Sequence, residues 1–323
     1  MELFRGVNVD WLRLKWYFLA FSMIFSVAGL VKMGINLTQI QSPVLLGVDF
    51  KGGTQVQVKF EQTPDIDRIR KAISAAGIKD AAIQSIRTEI NASGNEVLVS
   101  LPLQKDESSL DTGHKQIVDA LHAYYSNPFT ESNVSVVGPT VGRQLQTKAA
   151  LATLYSMAGM LVYLWFRFQL IYGVAAVVAC FHDTLITIGA FALTGQEISL
   201  TVIAAILTLV GYSMNDTIVV FDRIRENLRL SRRESLPDVV NRSINQTLSR
   251  TVLTSGLTFL TVLSLFIFGG QVLRGFSFAL VVGIIIGTYS SIAVAAPMLV
   301  AWQEWRAGRG KTAVLPAAKR ARV

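Results

Sequence analysis

The sequence predicts a polytopic α-helical membrane protein with six transmembrane helices and one small α+β domain outside the bilayer. Three observations carry this. Of 323 residues, 51% are hydrophobic and only 16% are charged, against roughly 25% charged in an average soluble domain. The mean hydropathy is +0.44, and the apolar residues gather into long runs instead of spreading evenly. Residues 36 to 147 alone show the short alternating and helical periods of a water-soluble fold.

The six runs lie at about 16 to 34, 149 to 166, 169 to 194, 198 to 221, 251 to 270 and 275 to 302. Each approaches the roughly 20 apolar residues needed to cross a bilayer. The first follows Arg13 and Lys15 as a signal peptide would, but no A-x-A site follows it. It is therefore expected to remain as an anchor.

Orientation follows from Lys and Arg in short loops and tails. With the N-terminus inside, the inner side holds 17 basic residues: Arg5, Arg13, Lys15, Arg167, seven arginines from Arg223 to Arg250, and six in the tail. The short outer loops hold only Arg274. Both termini and the loop 222–250 are thus expected in the cytoplasm, with 36–147 outside. A basic tail, 303–323, ends Lys319-Arg320-Ala321-Arg322-Val323 and carries no assignable motif.

The net charge of +8 does not imply nucleic acid binding. Residues 36–147 carry 10 Lys+Arg and 12 Asp+Glu, so the basic excess belongs to the membrane part. A nucleic-acid surface needs a basic, aromatic-bearing soluble face. Cys180 is the one cysteine and lies in an apolar run, which excludes an intramolecular disulfide and a cysteine-rich metal site.

Within the outer segment, Val56, Val58 and Phe60 alternate with Gln55, Gln57 and Lys59 as a half-buried strand. Thr63 and Pro64 look like a cap and first-turn proline. Ile66, Ile69 and Ile73 fall on one helical face, and Gly77 stops that helix. Ile86 and Ile90 precede a turn at Asn91 to Gly94, and Val97, Val99 and Leu101 follow it, a hairpin. Ile117, Val118, Leu121 and Tyr125 mark a second helix, and Val134 to Val137 a last strand. The order βαββαβ is that of the ferredoxin-like unit. His114 and His122 read as solvated, since no nucleophile elbow, phosphate loop or metal-ligand cluster accompanies them. Gly47 to Thr54 reads as a glycine turn, and Gly138 to Gly142 as a stiff turn with a flexible joint.

An ionisable group in mid-membrane costs about 2.5 to 3.5 kcal/mol on insertion scales and marks a functional path. His182 and Asp183 are adjacent in the third span, with Thr184 and Thr187 near. In the fourth, Asp216 follows Asn215, with Tyr212 and Ser213 one turn earlier. The fifth opens with Arg250, and Thr254, Thr258 and Thr261 recur behind it. Asp216 should lie in the cytoplasmic half, on the same side as Arg250, which permits contact. His182 and Asp183 should be central or outer. They serve either a graded proton path or a locked structural pair.

Five motifs occur in order: Gly47 to Thr54 (GVDFKGGT), Gly138 to Gly142 (GPTVG), Phe181-His182-Asp183, Gly211 to Asn227 (GYSMNDTIVVFDRIREN) and Leu248 to Thr251 (LSRT). With one outer domain after the first of six spans, the chain resembles the SecD/SecF family of the resistance-nodulation-division superfamily. The resemblance implies a role in protein export that is not enzymatic. It implies a SecD-like subunit completing a twelve-helix core, and partnership with a SecYEG-type channel, a cytoplasmic ATPase and unfolded preprotein in a bacterial inner membrane. No cofactor or metal is implied; a proton gradient would drive the outer domain. By the family pattern Asp216 carries the proton, with Arg250 its basic neighbour and Asn215, His182 and Asp183 contributing. Gly47, Asp49, Phe50, Gly52, Gly53, Gly138, Pro139 and Gly142 form the family motifs, the last three around a hinge. The alternative class is a proton-coupled exporter of small solutes or lipids. It is disfavoured because about 110 residues make a small ligand-binding domain.

Overall fold

The computed structural model describes residues 8–78, 81–86, 95–102, 110–230 and 234–307. Six helical segments are long and apolar enough to cross a membrane. They are α1 (Lys15–Ile40), α5 (Pro139–Arg167), α6 (Leu170–Thr194), α7 (Leu200–Leu230), α8 (Leu236–Phe268) and a sixth from Leu273 to Arg306. The last is composite: α9 (Gly270–Ser290), a π-helical turn (Ser291–Ala295) and α10 (Ala296–Ala307). The wide turn has a local cause. Pro297 has no N–H to return to the carbonyl of Ala293, and its ring crowds that turn.

Between α1 and α5 lie α2 (Val48–Lys51), β1 (Gly53–Phe60), α3 (Ile66–Ala75), β2 (Ala82–Ile86), β3 (Glu96–Pro102), α4 (Leu110–Tyr124) and β4 (Phe129–Val137). The strands form one sheet in the order β2-β3-β1-β4, and every neighbouring pair is antiparallel. Val56, Val58 and Phe60 on β1 and Val97, Val99 and Leu101 on β3 are buried. Ile69 and Ile73 of α3, and Ile117 and Leu121 of α4, close over that face as one apolar core. The first helix starts later than the Thr63-Pro64 pair suggests. Asp65 caps it by accepting from the Asp67 and Arg68 N–H groups, and it ends at Gly77 with φ +79°. The hairpin turn at Asn91 to Gly94, with Ile90, lies outside the described residues, as does the tail after Ala307. The two histidines are not free. His114 Nε2 lies 2.6 Å from Glu131 on β4, and the His122 ring packs on Phe129 with centroids 4.6 Å apart. Both tie α4 to β4.

In the membrane part, α6, α7 and the sixth helix are about half buried, whereas α1, α5 and α8 present mostly exposed apolar faces. Helix α1 crosses α6 backbone to backbone, because a Cβ on Gly29 would stand 2.9 Å from the Cα of Gly189. Among the described residues of 222–250, most are helical rather than irregular. Helix α7 runs on to Leu230 and α8 returns from Leu236, joined by Asn227 Nδ2 donating to Ser243 Oγ and Gln246 Oε1, both at 2.8 Å. The N-terminal segment is stitched to the same end of α8. The N–H of Trp11 donates to Asn241 Oδ1 at 2.8 Å, its indole to Asn245 Oδ1 at 3.0 Å, and Asn245 Nδ2 donates to the Val9 carbonyl. The chain start and the arginine-rich ends of α7 and α8 therefore share one face of the bundle, and the sheet domain sits at the other.

Candidate proton-coupling site

Two buried carboxylates occupy the bundle. Asp183 is 0% exposed and Asp216 2% exposed. At about 1.5 Å per residue, Asp183 lies roughly 16 Å from the α6 end at Thr194, and Asp216 roughly 24 Å from the α7 start at Leu200. Since those ends meet on the sheet-domain side, Asp216 is the deeper of the two, as its position in the run suggests.

Their surroundings differ. Asp183 is engaged on both oxygens. Oδ1 lies 2.9 Å from His182 Nδ1, and Oδ2 accepts from Ser213 Oγ at 2.5 Å and Ser290 Oγ at 2.6 Å. His182 Nε2 in turn bonds Ser22 Oγ. The line Ser22, His182, Asp183, Ser213, Ser290 thus joins α1, α6, α7 and α9. Ser290 immediately precedes the π turn, so the widened backbone adjoins this network. Close by, the Tyr289 hydroxyl donates to the Phe18 carbonyl, and its ring meets Phe18 and Phe21. Thr184 and Thr187 donate back to their own helix, to the carbonyls of Cys180 and Asp183.

On Asp216, Ser255 Oγ of α8 reaches Oδ2 at 2.7 Å. The side chains of Asn215 and Thr288 also hydrogen-bond its carboxylate, and the Arg250 charge acts on it. The contact with Arg250 expected from the sequence is not formed as an ion pair within 4.0 Å. Arg250 is exposed, and Ser255, five residues on, faces Asp216 instead. Five residues of helix turn about 140°, at 3.6 residues per turn, so Arg250 and Ser255 leave α8 on different faces. Ser213, placed with Asp216 by its spacing, serves Asp183. Asn215 is exposed, and the buried Tyr212 hydroxyl has no hydrogen-bond partner among the described residues. Thr254, Thr258 and Thr261 return to carbonyls four residues back at 2.9 to 3.0 Å and face outward.

The glycine motifs build a joint at the membrane surface. Only Gly52 and Gly53 adopt the positive φ of a turn, +79° and +143°. Gly47 to Lys51 form a helical turn that docks on the start of α7. The Gly47 N–H donates to the Ile198 carbonyl at 2.9 Å, Ile198 N–H to the Leu45 carbonyl at 2.8 Å, and Asp49 Oδ2 accepts from Leu200 N–H at 2.9 Å. That carboxylate meets orphan donors at a helix N-terminus. Phe50, 2% exposed, enters the bundle core with Phe191 and Ile206, and its carbonyl accepts from Gln146 Nε2 of α5 at 2.8 Å. Gly138 caps α5 with an ordinary φ of −72°, and Pro139 follows at the first helical position. Gly142 lies inside α5 and serves close approach, because a Cβ there would stand 2.6 Å from the Phe50 carbonyl oxygen. Glu197 sits beside this joint. Burial pushes its carboxyl pKa above the ordinary 4.5, and the Lys51 charge opposes that rise.

Sequence reasoning missed Ser22, Ser255 and Ser290. Hydropathy does not mark them: Ser22 is one small hydroxyl in an apolar run, and Ser255 and Ser290 stand beside Thr254 and Ser291 with nothing in the sequence to single them out. No group of three or more His, Cys, Asp or Glu able to hold a metal occurs among the described residues.

Fold and site together define a multi-pass helical membrane protein with acids buried in its bundle and an α+β domain docked on one end. The family model for the C-terminal part of the protein export membrane proteins SecD and SecF matches residues 116–305, and that for the SecD/SecF GG motif matches residues 46–64. The chain is 52% identical to the protein translocase subunit SecF of Koribacter versatilis, covering 98% of this chain and 96% of that protein. It is 44% identical to the SecF of Desulfurispirillum indicum, over 93% of each. The crystal structure of SecDF, a translocon-associated membrane protein from Thermus thermophilus, superposes with a TM-score of 0.77 at 37% identity, covering 94% of this chain. This chain spans 40% of that longer SecDF chain. The chain belongs to the SecD/SecF family of protein export membrane proteins.

Proposed function

We propose that this chain is an accessory subunit of the Sec preprotein translocase, coupling proton movement to a late stage of protein export. The observation that carries the reading is the contrast between the two carboxylates: Asp183 is tied to His182, Ser213 and Ser290 within 2.9 Å on both oxygens, whereas Asp216, bonded by Ser255, Asn215 and Thr288, also feels the charge of Arg250 from α8. A buried acid under the influence of a movable basic side chain is the one suited to take up and release a proton. Asp183, His182 and Ser22 form a fixed relay or brace on the outer side of it. Arg250, outside pairing distance, approaches Asp216 in one conformation and withdraws in another.

Work reaches the outer domain through the joint. Helix α7 carries Asp216 in its middle and is capped at its start by Asp49, so a tilt of α7 shifts the Gly47–Lys51 turn and the sheet attached to it. One charge crossing 100 mV yields about 2.3 kcal/mol, enough to bias states a few kcal/mol apart. We assign the sheet domain to the ferredoxin-like class on its βαββαβ order and strand order, and place it outside the cytoplasmic membrane, with both termini inside, on the arginine asymmetry. The mostly exposed faces of α1, α5 and α8 leave room for a SecD-like partner and lipid. The SecYEG-type channel, the ATPase and the preprotein follow from the role of the relatives.

The test is export in inverted membrane vesicles. Asp216→Asn should still co-purify with the SecD-like partner and support the ATP-driven phase, while losing the uncoupler-sensitive late phase. A normal late phase in that variant would make the carboxylate structural.

A further inference from the structure

We propose that the cleft between the ends of α5 and α7 remote from the sheet domain binds the phosphate headgroup of an anionic phospholipid. The cleft, about 360 Å³, is lined by Arg167, Asp222, Arg225, Glu226, Arg229 and Leu230. Three arginines converge there. The guanidinium carbons of Arg167 and Arg225 lie 5.3 and 5.7 Å from the ring centroid of Phe168, so two like charges flank one aromatic ring. Arg229 follows Arg225 by four residues on the same helix face, a spacing at which like charges oppose the helix.

The acids of the lining, Asp222 and Glu226, offset the three guanidinium groups only in part. Glu226 pairs with Arg223 at 2.7 Å, and none of the three arginines has a carboxylate within 4.0 Å among the described residues. Arg225 spends one donor on the carbonyl of Arg167 at 3.3 Å. What remains is a set of planar donors whose geometry suits a phosphate.

The source of the phosphate is set by what surrounds it. Arg167 ends a membrane span whose last turn exposes Tyr163, Trp165 and Phe166, the last 96% exposed, and Leu170 opens the next span 52% exposed. Exposed aromatic rings at a span end sit at headgroup depth. The cleft supplies the arginines, and the span ends next to Arg167 in the chain supply the exposed apolar side chains. That combination fits a headgroup with its acyl chains and leaves half the surface unused by a free anion. The bound lipid would brace the α5–α6 turn against α7, the helix that carries Asp216.

The full chain in a neutral detergent, mixed with phosphatidylglycerol or phosphatidylcholine, can be examined by native mass spectrometry for retained lipid. Phosphatidylglycerol should be retained and phosphatidylcholine lost. Each of Arg225→Gln and Arg229→Gln should weaken retention about fivefold, the factor expected for one basic residue at an anionic surface. Arg229 makes no hydrogen bond or ion pair among the described residues, so its replacement tests binding without disturbing the fold. Phe166→Ser should also weaken retention, Arg68→Gln on the sheet domain should not, and 10 mM inorganic phosphate, roughly an excess for a weak anion site, should fail to displace the lipid. Equal retention of both lipids, wild-type retention by the Arg225→Gln, Arg229→Gln double variant, or displacement by inorganic phosphate would overturn the proposal.

Discussion

Removing the Asp183 carboxylate should loosen the bundle, and by an amount the structure sets. In Asp183→Ala the donors His182 Nδ1, Ser213 Oγ and Ser290 Oγ lose their acceptor together. Interhelical hydrogen bonds in membranes average about 0.6 kcal/mol and reach about 1.7, so the two that cross between helices, from Ser213 and Ser290, amount to roughly 1 to 3 kcal/mol, the His182 contact lying within α6. Ser290 retains a fallback, the Gly287 carbonyl at 3.2 Å, which pulls the figure toward the lower end. Unfolding in mixed micelles of increasing sodium dodecyl sulfate, followed by tryptophan fluorescence, reads the loss. Ser213→Ala and Ser290→Ala should each cost about 0.6 to 1.7 kcal/mol and should add less than fully to Asp183→Ala, because all three act on one carboxylate. An Asp183→Ala protein within about 0.5 kcal/mol of the original, the scatter of a surface change, would refute the network as a brace.

Three further outcomes follow. Gly142→Val should weaken the joint, since the first added carbon already stands 2.6 Å from the Phe50 carbonyl oxygen; limited proteolysis should then release the sheet domain faster, and unchanged cleavage would contradict the docking. Glu197 has a folded pKa raised above its unfolded value, so the folded state binds the extra proton and stability falls as pH rises through that window; Glu197→Gln should match the original protein below about pH 4.5, near the free value, and exceed it in melting temperature at pH 7, whereas a pH-independent difference would refute the assignment. Cysteines placed singly at Arg68 and Glu234 in a Cys180→Ser background should react with an impermeant maleimide from outside the cell and only after lysis, respectively; the reverse pattern would invert the topology.

The spans and the soluble domain were legible because hydropathy and period are local. Val56, Val58 and Phe60 alternate and are buried, and Ile69 and Ile73 share a face and are buried. The ends of α7 and α8 were not, since their polar turns look like a loop until Asn227 is seen bonded to Ser243. The two acids announced themselves as charges in apolar runs. Their partners did not: Ser290 is 107 residues from Asp183 and Ser255 is 39 from Asp216, and a serine carries no hydropathic signal. Depth along a helix could be counted from sequence, which put Arg250 near the right level. Facing could not, and one and a half turns of α8 separate the expected partner from the observed one. Asp49 was legible as part of a motif. Its capping of α7, 151 residues away, depends on tertiary contact alone.

In the proposed cycle the Asp216 carboxyl itself takes up and gives up a proton. Infrared difference spectroscopy of the protein with its SecD-like partner in oriented membranes, recorded as a proton gradient is applied and collapsed, measures this directly. The account predicts a reversible protonated-carboxyl C=O band that disappears in Asp216→Asn and persists in Asp183→Asn; a band that survives in Asp216→Asn, or is lost only in Asp183→Asn, would contradict it.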